Sequence, residues 1–149
     1  MTNRLSLFIG ISSYLTGFEV IDLAGTGMAP TYLATVEKET SSDILVPFFE
    51  TTERILRTGA GDSSAINAMI AADLFPVSRY GGLAQNIIFM WYTGQWAPTV
   101  SAATNLEQVR NISPEAYVQG LVWTAADTHP PGAKQPGYGS WASPPLGAR

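Results

Sequence analysis

The sequence contains no cysteine and only one histidine. Without thiols the chain cannot form a disulfide, bind zinc through thiolates or use a cysteine nucleophile. The single histidine, His129, lies in the segment Thr-His-Pro-Pro-Gly, with no second imidazole to share a metal ion. We therefore interpret His129 as a loop residue. We expect no catalytic residue, no cofactor-binding residue and no metal site in this chain.

Charged residues are scarce as well, at 13% of the 149 residues, well below the roughly 25% typical of soluble domains. The net charge is −4 and the eight basic residues are scattered, whereas nucleic-acid binding needs clustered Lys and Arg. Hydrophobic residues make up 46% of the chain, far from the composition of disordered proteins. This balance excludes nucleic acid as a partner and indicates a globular domain whose surface is partly covered by another molecule.

Long apolar runs and complete nucleotide-binding motifs are also missing. No stretch reaches the ~18 apolar residues that a membrane-spanning helix needs. The N-terminal apolar run has helical spacing and no clear cleavage site, so we interpret it as a mature helix rather than a secretion signal. The segments Gly-Thr-Gly at 25–27 and Gly-Ala-Gly at 59–61 complete neither known phosphate-binding pattern. We interpret both as helix ends.

Helical spacing and end signals are what the chain does contain. Asn3, Asp62 or Ser63, and Ser113 are candidate N-caps, Ser42 and Asp43 offer a further cap, and Gly17 is a candidate C-cap. The glycine pair 81–82 predicts that the fifth helix becomes regular only after it. The predicted helices lie near residues 4–16, 30–40, 44–57, 64–75, 77–94 and 114–123. The sequence therefore predicts an all-α fold, a small helical bundle of about five to six helices over residues 1–124.

Residues 86–96, Asn-Ile-Ile-Phe-Met-Trp-Tyr-Thr-Gly-Gln-Trp, concentrate the large rings. On a helix both faces of this segment are apolar, one with Ile87, Met90, Trp91 and Gly94 and the other with Ile88, Phe89, Tyr92 and Trp96. Such a helix is either central in a bundle or has one side against a partner. We favour a central helix whose ends reach an interface. The candidate partner-binding residues here are Trp91, Tyr92 and Trp96.

The last 25 residues, 125–149, form an irregular tail in this interpretation. They contain five of the ten prolines and four of the fourteen glycines, so they cannot continue a helix or form a central strand. Exposed rings as large as those of Tyr138 and Trp141 usually pack against a surface. We predict that this tail docks on a partner through Tyr138, Trp141 and Pro144.

Five segments together resemble a known family. They are, in order, Leu-Ser-Leu-Phe-Ile-Gly-Ile-Ser-Ser-Tyr-Leu-Thr-Gly-Phe, Thr-Tyr-Leu-Ala-Thr-Val, Ile-Ile-Phe-Met-Trp-Tyr-Thr-Gly, Ala-Tyr-Val-Gln-Gly-Leu-Val-Trp and Pro-Gly-Tyr-Gly-Ser-Trp-Ala-Ser-Pro-Pro. Their order and spacing resemble the small subunit of membrane-associated, FAD-dependent sugar and alcohol dehydrogenases, such as bacterial fructose, sorbitol and glucose dehydrogenases. The resemblance extends over nearly the whole chain.

The resemblance implies a helical partner protein without chemistry of its own. In that family the large subunit binds FAD and oxidises the substrate, and a cytochrome c subunit carrying haem c often accepts the electrons. The small subunit supports folding, flavin loading and export of the large one. The implied location is the bacterial periplasm, at the cytoplasmic membrane only through partners. The twin-arginine leader common on this subunit is not seen in this sequence, and neither is a tail cysteine found in several members.

Two other classes of function stay open at this point. The chain could be an enzyme in its own right, although it offers few candidate nucleophiles, bases or metal ligands. It could also be a helical interaction or scaffold module unrelated to dehydrogenases, because helical bundles carry many functions. A flavin-binding partner would favour the small-subunit interpretation over both.

Overall fold

A computed structural model describes residues 3–76, 78–98 and 108–134. The fold is all-α, as the sequence predicts. The helices are α1 (Arg4–Thr16), α2 (Val20–Gly25), α3 (Ala29–Glu39), α4 (Ser42–Gly59), α5 (Ser63–Met69), α6 (Ser78–Thr93), α7 (Pro114–Gln119) and α8 (Leu121–Ala125). A π-helical turn, Ile70–Leu74, continues α5. Two short strands, β1 (Gln95–Trp96) and β2 (Arg110–Asn111), pair antiparallel.

Most predicted helix ends are confirmed. The side chains of Asn3, Asp62 and Ser113 each accept hydrogen bonds from backbone N–H groups in the first turn of the following helix. Gly17 ends α1 in the left-handed conformation, with φ of 79°. The predicted cap of α4 is wrong, because Ser42 is already helical and Ser41 takes the N-cap position.

Three local predictions differ from the structure. The short helix α2 was not predicted, because it has no side-chain N-cap and buries only Leu23. The predicted last helix is interrupted at Gly120, whose extended ψ of 131° separates α7 from α8. Conversely, α6 continues through the glycine pair 81–82. Here Tyr80 packs against the core, and tertiary packing overrides the low helix propensity of glycine.

Helices α1 and α6 form the centre of the bundle. Helix α1 contacts α2, α3, α4, α5 and α6, and α6 in turn contacts α3, α4, α8 and β1. The sequence spacing predicts a core face of α1 made of Leu5, Phe8, Ile9, Ser12 and Leu15. The observed core face of α1 is rotated from this one. Its most buried side chains are Leu7, Phe8, Ile11 and Ser12. The sequence period could not distinguish the faces, because a helix surrounded by five others is apolar on most sides.

Candidate partner interface

The ring of Trp91 lies in the middle of the core and has 0% exposed surface. It stacks on Phe8 of α1, with ring centroids 6.1 Å apart. It also meets the ring of Tyr32 of α3 edge-on, with centroids 4.8 Å apart. These distances are typical of favourable aromatic pairs. Trp91 is therefore a core residue in this structure, and its role as a partner contact stays a prediction.

Trp96 is buried as well, in β1 immediately after α6. Its strand is held by Asn86, whose buried amide both donates to the Ala97 carbonyl and accepts from the Ala97 N–H at 3.2 Å. Such a buried two-way hydrogen bond satisfies two backbone groups at once. It directs β1 back along α6, so Trp96 also belongs to the core rather than to an open interface.

Tyr92 is the only one of the three candidates in segment 86–96 that keeps part of its surface exposed. Its hydroxyl donates a hydrogen bond of 2.9 Å to the Thr16 carbonyl at the end of α1. Its ring meets Phe18 edge-on at 6.1 Å. Tyr92 thus anchors the loop between α1 and α2 and contributes a half-buried edge to the surface near α2.

Two glycines let α7 and α8 approach α6 closely. Gly94 has φ of 71°, and a Cβ at that position would overlap the Ala116 backbone of α7. A Cβ on Gly120 would lie 2.7 Å from the Tyr92 carbonyl oxygen. Only glycine allows backbones to come this near. The result is that α8 lies beside the C-terminal half of α6 and faces α2.

Between α2 and α8 lies an open groove of about 370 Å³, which we call the α2/α8 groove. Its apolar lining comes from Phe18, Ile21 and Leu121, and its polar lining includes Asp22, Thr124 and Lys134. The ammonium of Lys134 donates a hydrogen bond of 2.6 Å to the side-chain oxygen of Gln119. The lining is thus mixed, with polar groups beside the apolar ones, and it suits a segment that offers both apolar and polar side chains.

Large apolar side chains are exposed around this groove. Ile21 is 79% exposed and Val20 is 50% exposed, although they begin a helix in which Leu23 is fully buried. In α8, Val122 is also exposed, next to the buried Leu121 that lines the groove. Single exposed apolar residues are common, but several beside one groove are typical of a contact surface. Sequence reasoning missed this site, although the adjacent pair Val20-Ile21, of which one helix face can bury only part, was a usable signal.

Tyr117 adds an aromatic edge to α7. Its ring is 39% exposed and meets the ring of Trp123 edge-on at 5.4 Å. The Trp123 indole N–H donates to the Tyr117 carbonyl at 2.8 Å. The pair is therefore fixed in orientation while remaining accessible, as aromatic residues at interfaces commonly are.

The remaining sequence-predicted contacts, Tyr138, Trp141 and Pro144, lie outside the described residues. His129 is half-buried, with Nδ1 3.1 Å from the Pro130 carbonyl oxygen.

In residues 3–76, 78–98 and 108–134, no three His, Asp or Glu side chains come together as a metal site would require. None of the described helices is long and apolar enough to span a bilayer.

Burial displaces the pKa of one tyrosine in the described core, Tyr32. Tyr32 is fully buried, and desolvation raises the pKa of its hydroxyl from 10.0 to about 12. Its hydroxyl makes no hydrogen bond within the described part of the chain. The displacement reflects burial in an apolar core.

Comparison of the chain with protein-family models, with curated proteins and with solved structures finds no match.

Proposed function

We propose that this chain is the non-catalytic small subunit of a heteromeric flavin-dependent sugar or alcohol dehydrogenase. In this role it supports folding, flavin loading, export and stability of a large subunit that binds FAD. A cytochrome c subunit with haem c would complete the complex in those systems that contain one. The complex would work in the bacterial periplasm, and the chain would reach the membrane only through its partners.

The observation that carries this proposal is the cluster of exposed apolar side chains around the α2/α8 groove. Ile21 is the extreme case, because 79% of its surface is open to solvent. Only 13% of the residues of this chain are charged, so few charged side chains are available to surround these exposed apolar residues. Burial of apolar area contributes about 25 cal/mol per Å², so covering this surface by a second protein would stabilise both partners. The resemblance of the sequence to dehydrogenase small subunits supplies the identity of that partner.

Production of the complex with and without this chain tests the proposal. We expect the chain to co-purify with a flavin-binding subunit, identified by mass spectrometry and by its flavin absorbance. Deleting the chain should lower the amount of flavin-loaded large subunit, since a partner that binds only the folded state shifts the folding equilibrium. Equal yields of flavin-loaded large subunit with and without the chain would contradict the proposal.

His129 provides the test against the chain being an enzyme in its own right. Replacing His129 with Ala should leave the turnover per bound FAD unchanged, because the imidazole faces only a backbone carbonyl among its described contacts. Assaying the separated chain with sugars and a dye acceptor is the companion measurement. A large fall in the FAD-normalised rate of an intact His129→Ala complex would show that this chain reaches the active site.

A helical scaffold module unrelated to dehydrogenases is the alternative. The same α2/α8 groove would serve such a module, since an apolar groove does not by itself specify its partner's chemistry. The two functions differ in what co-purifies. A stable partner without flavin, together with unchanged flavin loading of the dehydrogenase, would favour the scaffold.

A further inference from the structure

We propose that a pocket between the end of α1 and the start of α5 binds the guanidinium group of an arginine side chain on a partner protein. This pocket, which we call the α1/α5 pocket, has a volume of about 220 Å³. Its lining combines two aromatic rings, Tyr14 and Phe18, with the polar side chains of Ser13, Glu19, Ser63 and Asn67. The inference holds whether or not the partner is a flavin-binding subunit.

The charge of the α1/α5 pocket favours a cation. Among its described lining residues only Glu19 is charged. Glu19 takes the N-cap position of α2 without capping that helix through its side chain, and its carboxylate forms no hydrogen bond or ion pair within the described part of the chain. Residues 5–37 and 58–78, which supply the pocket walls, contain no Lys or Arg. A cationic ligand would therefore meet an unpaired carboxylate, and these segments supply no positive charge to repel it.

The uncharged part of the lining indicates which cation fits. The Tyr14 hydroxyl and the Asn67 amide offer oxygen acceptors that are not hydrogen-bonded within residues 3–76, 78–98 and 108–134. A guanidinium group carries several N–H donors in one plane and stacks on aromatic faces, whereas an ammonium is a compact and more strongly hydrated point charge. A calcium ion takes about six to eight oxygen ligands, which one carboxylate and a few neutral oxygens do not provide. The pocket therefore suits an arginine side chain better than a lysine or a metal ion.

The wall formed by the loop between α1 and α2 is fixed in the structure. The Ser13 hydroxyl donates a hydrogen bond of 2.6 Å to the Phe18 carbonyl. The Phe18 N–H donates to the hydroxyl oxygen of Thr16 at 3.3 Å, and the Phe18 ring meets the ring of Tyr92 edge-on. A site whose wall is already ordered loses little conformational entropy when a ligand binds.

The size and position of the pocket fit a side chain that a partner presents. The volume of about 220 Å³ corresponds to about seven water molecules at ~30 Å³ each, enough for a guanidinium group and part of its aliphatic stem. Phe18 lines both this pocket and the α2/α8 groove. The exposed Val20 and Ile21 follow Glu19 directly in the chain. A partner that covers these apolar side chains would thus bring an arginine at its edge to the pocket, and arginine is a frequent source of binding energy at interfaces.

Binding of capped amino acids to the full chain tests the pocket. The first probe is N-acetyl-arginine methylamide, and the second is N-acetyl-citrulline methylamide, which keeps the shape of the side chain but has no charge. In NMR titrations at low ionic strength, the backbone amide signals of Gly17, Glu19, Ser63 and Asn67 should report saturable binding. We expect the arginine probe to bind at least about fivefold more tightly, because the carboxylate of Glu19 attracts only the charged probe. N-acetyl-lysine methylamide should bind more weakly than the arginine probe, since an ammonium is more strongly hydrated.

Substitutions in the full chain locate the binding site. Glu19→Gln should lower the affinity for the arginine probe at least about threefold, whereas Glu50→Gln, at an exposed acid of α4 outside the pocket, should leave it unchanged. Asn67→Lys places a competing ammonium at the pocket and should also lower the affinity. All three positions are exposed, so the thermal unfolding temperature should stay close to that of the parent chain and show that the fold is intact.

Equal affinities for the arginine and citrulline probes, or an affinity for the arginine probe that neither Glu19→Gln nor Asn67→Lys changes, would overturn the proposal. Free arginine distinguishes the source of the guanidinium group, and we expect it to bind no more tightly than the capped probe. Tighter binding of free arginine would assign the pocket to the amino acid and overturn its assignment to a partner's side chain. None of these titrations contains a dehydrogenase subunit. Their failure, with intact co-purification of a flavin subunit, would therefore reject the arginine site alone.

Discussion

Two apolar regions of the molecule differ in how much of their side-chain surface is exposed to solvent. In the first, the rings of Phe8, Tyr32 and Trp91 enclose one another, and all three side chains have 0% exposed surface. In the second, α2 presents Val20 and Ile21 to solvent beside the α2/α8 groove. The first region draws on α1, α3 and α6, which surround one another, whereas α2 is six residues long and has α1 as its main neighbour.

In this molecule the segment richest in aromatic rings is not the segment whose apolar side chains are most exposed. The aromatic segment 86–96 is predicted to form a central helix whose ends reach an interface, and its Trp91 and Trp96 lie in the core. The most exposed large apolar residues, Val20 and Ile21, are aliphatic and lie on α2, which is too short for its hydrophobic spacing to predict a helix. Stability should therefore depend on the ring cluster, and partner binding on the groove. Substitutions in each region separate these two dependences, and the largest effect is expected in the ring cluster.

Replacing Trp91 with Ala should lower the free energy of unfolding by about 3–5 kcal/mol, the usual range for a large aromatic residue removed from a core. The loss combines the transfer of the ring with a cavity between Phe8 and Tyr32. Urea unfolding of the full chain measures it. Trp91→Phe is the control and should lose less, since it keeps a ring against Phe8. A loss below about 1 kcal/mol in Trp91→Ala would show that the ring cluster is not the stabilising centre.

Gly94→Ala should cost about 2–4 kcal/mol, because the new Cβ meets the Ala116 backbone in addition to the strain of a positive φ. Gly17→Ala is the matched control. Gly17 has a similar φ of 79°, but a Cβ added there would meet no atom within 4 Å among the described neighbours. It should therefore lose only the conformational part, about 1–2 kcal/mol. Equal losses in urea unfolding would mean that α7 does not lie tightly against the end of α6.

Alkaline pH should weaken the ring cluster through Tyr32. The folded-state pKa of about 12 is above the usual value of 10.0, so the folded chain holds the phenolic proton more tightly than the unfolded chain. The associated stability is fully present below pH 10 and is lost as pH rises through about 12. A pKa difference of one corresponds to about 1.4 kcal/mol, so at most roughly 2–3 kcal/mol is lost.

Tyr32→Phe supplies the comparison for this pH effect. The variant keeps the ring beside Trp91 and removes the titrating hydroxyl, which has no hydrogen-bond partner in the described part of the chain. Its stability should therefore fall less between pH 10 and 12 when thermal unfolding is followed against pH. An identical alkaline decline in both proteins would place the responsible group elsewhere.

Some elements of the structure could be predicted from the sequence, and others could not. The caps at Asn3, Asp62 and Ser113 act within one helical turn, so local sequence was enough to predict them. Gly120 interrupts a predicted helix because of a close approach to Tyr92, which only the tertiary arrangement creates. The same is true of Ile21. Its exposure depends on which neighbours α2 lacks, and hydrophobicity alone does not reveal that.

The smallest effect on stability, with the largest on partner binding, is expected at Ile21. Ile21→Ser should change the free energy of unfolding by no more than about 0.5 kcal/mol, as is usual for exposed positions. Val46→Ser is the matched control, a surface valine of α4 with 46% exposure and no place in the groove. If the groove side of the molecule meets the flavin subunit, Ile21→Ser should lower the yield of co-purified flavin per chain, while Val46→Ser should not. Equal flavin yields from both variants, at unchanged stability, would show that the exposed end of α2 is not part of the proposed interface. The contact with the flavin subunit would then have to lie on another surface of the molecule.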